Sequence, residues 1–211
     1  CIVVLLDHSD SMKRPWGNTG MTLADGAAQA VNQVIRDLIS RSTKGVDEVR
    51  HYFDIGVFGY GITPAGNEGV GSVLPPALAD RGIVPLPELE LHDIGTDLKP
   101  SVDAGAPPSR LPVYVPSAHG GRTPMCQAIA VAGGHVFDWA SKHPDSFPPI
   151  ILNITDGVVT DSPYDAVDLR GWASRLTSIA TSDGPAILLN IFLSPTADGE
   201  VWFPSSSAGL P

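Results

Sequence analysis

Positive charge is scarce in this chain. Lys and Arg number 13 against 23 Asp and Glu, a formal net charge of −10. Nucleic-acid binding rests on neutralising phosphates with Lys and Arg, so this balance argues against a nucleic-acid partner. It argues equally against anionic membrane surfaces. Cysteine is scarcer still: Cys1 and Cys126 are the only two. A single potential pair builds no disulfide framework and fits a reducing compartment. Cys126 follows Pro124-Met125 inside a helical pattern and reads as a buried structural thiol. No apolar run is long enough for a transmembrane helix, and no signal peptide is visible. The chain opens at Cys1, without a Met and already inside a strand pattern, so it reads as a piece of a longer polypeptide. A lipid on Cys1 is disfavoured, because no linker separates it from the strand.

Several motifs are missing too. There is no Gly-x-x-x-x-Gly-Lys loop and no Gly-x-Gly-x-x-Gly after a strand. The histidines, His8, His51, His92, His119, His135 and His143, form no His-x-x-x-His pair and have no cysteine at zinc spacing, which argues against a zinc site. Asp7-His8-Ser9 holds the residue types of a hydrolytic triad, but adjacent residues cannot line up as a relay.

What is present suits one globular α/β domain over residues 1–211: 43% of residues are hydrophobic and 17% charged. Ile2 to Leu6 is a continuously apolar, β-branched run, the pattern of a strand buried on both faces of a parallel sheet. Leu23, Ala27, Ala30, Val31, Val34, Ile35, Leu38 and Ile39 recur at helical spacing over Thr22 to Ser42. Thr22 and Asp25 resemble a capping box. Tyr52 to Tyr60 supplies the next strand. Residues 62–118 are rich in Gly and Pro and read as an irregular insertion or edge region. Within them Ile83–Leu86 and Leu89–His92 are candidate edge pieces, where proline is tolerated. A second helix is expected with Thr123 as N-cap and Pro124 at its first position. Gly133-Gly134 weakens it by roughly 1 kcal/mol per glycine, for which close packing on the sheet is a reason. Pro149 to Ile154 is the next buried strand. Asp161-Ser162-Pro163 is expected to open a third helix through Ala180, and Ala186 to Phe192 is the last strand before a loop-like tail from Ser194. Strands alternating with helices imply a doubly wound, mainly parallel central sheet with helices on both faces.

Three short pieces carry the chemistry. Asp7-His8-Ser9-Asp10-Ser11 follows the first strand, Gly120-Gly121-Arg122-Thr123-Pro124 precedes the second helix, and Thr155-Asp156-Gly157 follows a later strand. In a doubly wound sheet, ligand sites lie outside the carboxyl ends of the strands. Alternation in Asp-x-Ser-x-Ser sends Asp7, Ser9 and Ser11 one way and His8 and Asp10 the other. Hydroxyls and carboxylates are the hard oxygen ligands a Mg²⁺-like ion prefers. Neutral hydroxyls leave an ion strongly electrophilic, with Asp7 and Asp156 placed to hold its waters. Taken singly, each piece reads as a turn or a helix cap. Their common place at strand-to-helix junctions makes them a candidate site.

Asp7-x-Ser9-x-Ser11-Met12, then Thr123, then Asp156-Gly157 resembles the metal-ion-dependent adhesion site of von Willebrand factor type A (VWA) domains. The resemblance spans about residues 1 to 193. Gly121-Arg122-Thr123-Pro124-Met125 and Ile154-Thr155-Asp156-Gly157 look most like bacterial intracellular members of the TerY type. The resemblance implies a Rossmann-like sheet and a cytoplasmic protein. It implies Mg²⁺ or Mn²⁺ bound through Ser9, Ser11 and Thr123, with Asp7 and Asp156 acting mainly through water. It also implies protein–protein contact without catalysis, in which a partner's Asp or Glu completes the metal's shell. A MoxR-type AAA ATPase or a stress or conflict component is the partner that such relatives suggest. Two residues depart from the pattern: Asp10 stands where many relatives carry glycine, and Arg122 directly precedes the threonine. Arg122 can either repel a metal or meet an incoming carboxylate. Trp16, in the loop after the first piece, is either an interface anchor or a loop residue packed on its own domain.

Two other readings stand beside this one. A strand followed by Asp also begins the aspartyl-phosphate phosphohydrolases of the haloacid dehalogenase type, but those carry Asp-x-Asp, whose second carboxylate is the acid/base. Ser9 occupies that position here, and no lysine lies near Thr123 or Asp156 to steady a phosphate. A scaffold domain that does not need its metal is the third reading.

Overall fold

The computed structural model describes residues 1–45, 47–99 and 108–194. The loop-like tail beyond Ser194 and part of the Gly/Pro-rich region lie outside the described residues. The central sheet is built from β1 (Ile2–His8), β2 (Asp54–Ile62), β3 (Glu68–Ser72), β4 (Ile83–Pro85), β7 (Ile150–Thr155) and β10 (Ile187–Phe192). Its order is β10-β7-β1-β2-β3, with β4 also on β2. The pairs β1–β2, β1–β7 and β7–β10 are parallel, whereas β3 and β4 run antiparallel to β2. Between β4 and β7 lie a hairpin of β5 (Gly95–Lys99) with β6 (Ser109–Val113), and a second small hairpin, β8 (Ala180–Thr181) with β9 (Gly184–Pro185), precedes β10.

Helices cover both faces, as the strand pattern requires. Ile2–Leu6 of β1 are all apolar because alternate residues serve different layers. Val4 and Leu6 cluster with Leu23, Ala27 and Val31 of α1 (Leu23–Ser42) and with Leu86 and Leu89 of α2 (Leu86–Glu90). Val3 and Leu5 cluster with Ala128, Ile129 and Ala132 of α3 (Met125–Lys142) and with Leu176 of α4 (Leu169–Thr177). The fold is thus a mixed α/β, Rossmann-like, doubly wound architecture with a mainly parallel sheet. Among the described residues, no helix is long and apolar enough to cross a membrane. Cys126 is buried, as its helical setting suggested.

Several local expectations are corrected. Leu89–His92 is not an edge strand. Leu86–Glu90 forms a short helix that seats Leu86 and Leu89 in the core, while Ile83–Pro85 does pair with β2. The third helix does not open at Asp161. It begins at Leu169 behind Asp168, whose carboxylate accepts the Gly171 N–H at 2.7 Å. Ala166 lies outside it with φ +60°. Gly133 and Gly134 do not mark close packing on the sheet. A Cβ on Gly133 would meet only Leu176 of α4 at 3.8 Å, and one on Gly134 would meet nothing within 4 Å. β10 is less covered than its apolar run suggested: Ile187, Leu189, Ile191 and Phe192 are between 37% and 48% exposed.

Candidate metal centre

The first two pieces meet on the backbone at the end of β1, which lies beside the end of β2. The register sets Asp7 opposite Tyr60 and His8 opposite Gly61. A Cβ on Gly61, at φ +122°, would stand 2.5 Å from the His8 carbonyl and 2.6 Å from the Ser9 nitrogen, so only glycine lets the strand end approach this closely. The Gly120–Gly121 turn then docks on the same backbone. Gly120 N–H donates to the His8 carbonyl at 2.8 Å, and Asp10 N–H donates to the Gly121 carbonyl at 3.0 Å. Gly120 and Gly121 have φ of +151° and +73°, a conformation that suits glycine. Thr123 is next held by the loop after β7: its N–H donates to the Thr160 hydroxyl at 2.9 Å, and Thr160 N–H donates to the Thr123 carbonyl at 3.1 Å.

Thr123 is not the N-cap of α3, contrary to expectation. The helix begins at Met125 behind Pro124, and its exposed N–H groups are satisfied from a distance. Cys126 and Gln127 donate to the two oxygens of Asp161 at 3.0 and 2.8 Å. A carboxylate at a helix N-terminus gains from both hydrogen bonding and the helix dipole. Asp161 therefore does the work that the sequence assigned to Thr123, and Thr123 keeps its hydroxyl for other use.

The five candidate residues come together. Asp7, Ser9, Thr123 and Asp156 are buried, and Ser11 is half-buried. Asp7 Oδ1 accepts the Ser9 N–H at 2.7 Å, and its Oδ2 accepts the Thr155 hydroxyl at 2.6 Å. Ser9 Oγ and Ser11 Oγ are 3.0 Å apart, and Ser11 Oγ donates to Asp156 Oδ1 at 2.7 Å. Gly157 leaves the space between them open. A methyl group there would lie 3.5 Å from Ser11 Oγ, 3.6 Å from Thr123 Oγ1 and 3.7 Å from Asp7 Oδ2. Oxygens from three distant segments thus lie within 3.7 Å of one point beside Gly157 and line a small cradle there. Among the described residues, no three His, Cys, Asp or Glu side chains stand together as a metal-holding group. Hydroxyls supply most of the oxygens here, and such a set fits a small hard dication rather than zinc.

The electrostatics are those of a site short of positive charge. Burial pushes the Asp7 carboxyl above its ordinary range, and the nearby Asp156 charge adds to this. Hydrogen bonds from Ser9 and Thr155 work in the opposite direction. Below, burial drives the Tyr60 phenol well above its usual range, and its hydroxyl donates to Asn153 Oδ1 at 2.9 Å. His8 points to the other face, where a Cβ on Gly59 would touch its ring at 2.7 Å. Burial lowers its pKa to about 4, so it stays neutral.

The charged residues flagged in the sequence turn outward. Asp10 is exposed and pairs with Lys13 at 2.7 Å, and Arg122 pairs with Glu68 of β3 at 3.1 Å. The arginine that reaches the site is Arg14, which the sequence reading passed over. Its Nη2 is 2.6 Å and its Nε 3.2 Å from Asp156 Oδ2. The two partners are 142 residues apart in the chain, so no local signal could have paired them. Trp16 packs on its own domain: a Cβ on Gly26 of α1 would lie 1.9 Å from its ring. Val158, beside the cradle, is 84% exposed.

No family model and no curated protein matches the chain.

Proposed function

We propose that this chain is a VWA-type interaction module that uses a divalent metal, Mg²⁺ or Mn²⁺, to capture a carboxylate from a protein partner. The observation that carries the reading is the cradle at Gly157, ringed at 3.5, 3.6 and 3.7 Å by oxygens of Ser11, Thr123 and Asp7. A bound dication would supply an electrophilic position for the partner's Asp or Glu. Ser9, Ser11 and Thr123 would hold it through their hydroxyls. Asp7 and Asp156 would orient its waters, a role that suits carboxylates already fixed by Thr155 and Ser11. Asp7 is the residue that gains most, since its buried charge is the least compensated in the site.

The module binds without turnover. Ser9 stands where an aspartyl-phosphate enzyme needs its second carboxylate, which supports binding over hydrolysis. The partner is a protein, with a MoxR-type AAA ATPase or a stress or conflict component in a bacterial cytoplasm as the first to try, and neither nucleic acid nor a membrane is its target.

Thermal unfolding with and without Mg²⁺ or Mn²⁺ tests the reading. The melting temperature rises with metal, and Ser9→Ala removes the rise. A phosphatase activity abolished by Asp7→Asn would contradict it, as would a melting temperature indifferent to metal.

A further inference from the structure

Arg14 lies at the end of the short 3-10 turn, Asp10–Lys13, that carries Ser11. Its backbone is fixed: Arg14 N–H donates to the Ser11 carbonyl at 3.0 Å, and its own carbonyl accepts the Leu23 N–H at 2.9 Å. Its side chain reaches back over the site. Nη2 donates to Asp156 Oδ2 at 2.6 Å and to the Asp156 main-chain carbonyl at 3.2 Å. Nε donates to Asp156 Oδ2 and to the Ser11 carbonyl, each at 3.2 Å. The exposures are unequal: the Arg14 side chain is 43% exposed and that of Asp156 is 0%. A guanidinium in contact with solvent thus closes over a carboxylate with none.

Two buried carboxylates, Asp7 and Asp156, share this small space, and among the described residues Arg14 is the cation paired with one of them. Lys13 and Arg122 are engaged elsewhere, by Asp10 and Glu68. Removing the partner of a buried ion pair is costly, so Asp156 favours a state in which a cation faces it. A divalent ion in the cradle supplies two positive charges to the same carboxylate. It also repels the guanidinium at close range. The long arginine stem can swing into solvent while its anchored backbone stays in place.

We propose that Arg14 is the resident counter-cation of the site: it holds Asp156 in the metal-free protein and is displaced when a divalent ion binds. This inference rests on the metal reading of the site and adds that the site exchanges one cation for another. Arg14 sets the threshold of metal concentration at which the module becomes competent. It is a positioning residue, acting on the metal through Asp156.

The test is a calorimetric titration of Mg²⁺ and of Mn²⁺ into the whole chain and its variants, with Arg14 Nε–H followed by NMR. Arg14→Gln binds Mg²⁺ about tenfold more tightly than wild type, the effect of removing one unit charge that opposes a dication in largely aqueous surroundings. Lys13→Gln removes an equal charge, one that faces Asp10, and changes the affinity less than twofold, roughly the measure of a screened exposed charge. In the wild-type protein the Arg14 Nε–H resonance loses its hydrogen-bonded shift as Mg²⁺ is added. Equal affinities in wild type and Arg14→Gln would overturn the counter-cation role and leave the metal reading standing. Weaker binding by Arg14→Gln would overturn it as well, because Arg14 would then be helping to build the metal site. No binding of either ion by either protein would overturn the metal reading itself.

Discussion

The starts of α1 and α3 solve the same problem in opposite ways. At α1 the cap is local: Thr22 accepts the Asp25 N–H at 3.1 Å, and Asp25 accepts the Thr22 N–H at 3.0 Å. At α3 the cap is borrowed from Asp161, which lies beyond β7. A helix that caps itself is fully occupied at its N-terminus and serves packing. A helix capped by a distant carboxylate leaves its own threonine free. The Thr123 hydroxyl, like the Ser11 hydroxyl and the Asp7 carboxylate, borders the space beside Gly157, 3.6 Å from where a Cβ there would stand. The borrowed cap also ties the α3 entrance to the loop that follows Asp156, so two pieces of the site are held together by the bond that frees one of them.

This difference can be broken experimentally. The largest effect is expected for Asp161→Ala, which strips two charge-assisted bonds from α3 and costs about 2 kcal/mol of stability by chemical denaturation. The metal-induced stabilisation weakens with it, because the Thr123 loop loses its brace. Thr22→Ala comes next. It costs about 1 kcal/mol, the usual value for a lost cap, and changes metal affinity less than Asp161→Ala does, because the start of α1 meets the site through the backbone bond from Leu23 N–H to the Arg14 carbonyl rather than through a candidate ligand. Thr123→Val is the smallest in stability and the sharpest in meaning. It keeps the shape and removes the hydroxyl, so stability falls by less than for Thr22→Ala while the response to Mg²⁺ disappears. A loss as large as that of Thr22→Ala would show that Thr123 is a cap after all.

The contrast also separates what the sequence discloses from what it hides. β1, β7 and α1 are legible because their signals are local: an apolar run, a helical period, a capping box three residues long. The Asp-x-Ser-x-Ser piece is legible as a unit, but the extended alternation expected of it gives way after Ser9 to the 3-10 turn Asp10–Lys13, and that turn brings Ser11 beside Ser9 and Asp156. The α3 cap is hidden because Asp161 lies 35 residues from Cys126 and reads as the start of its own helix. Arg14 is hidden because its partner Asp156 lies 142 residues on, just past β7, while Arg122, next to Thr123 in sequence, turns to Glu68 instead. Short pieces mislead as well. Leu86–Glu90 has too few residues for a helical period to show, and the adjacent Pro85 pointed to edge pieces on either side of it.

The most direct measurement is metal binding by Gly157→Ala, with the melting temperature recorded with and without Mg²⁺. The added methyl would enter the cradle at 3.5–3.7 Å from Ser11, Thr123 and Asp7, distances of ordinary contact. The metal-free protein therefore folds with nearly unchanged stability, and the Mg²⁺-induced rise in melting temperature is lost. A variant that still gains the full wild-type rise would contradict the claim that these oxygens hold a metal in this cradle.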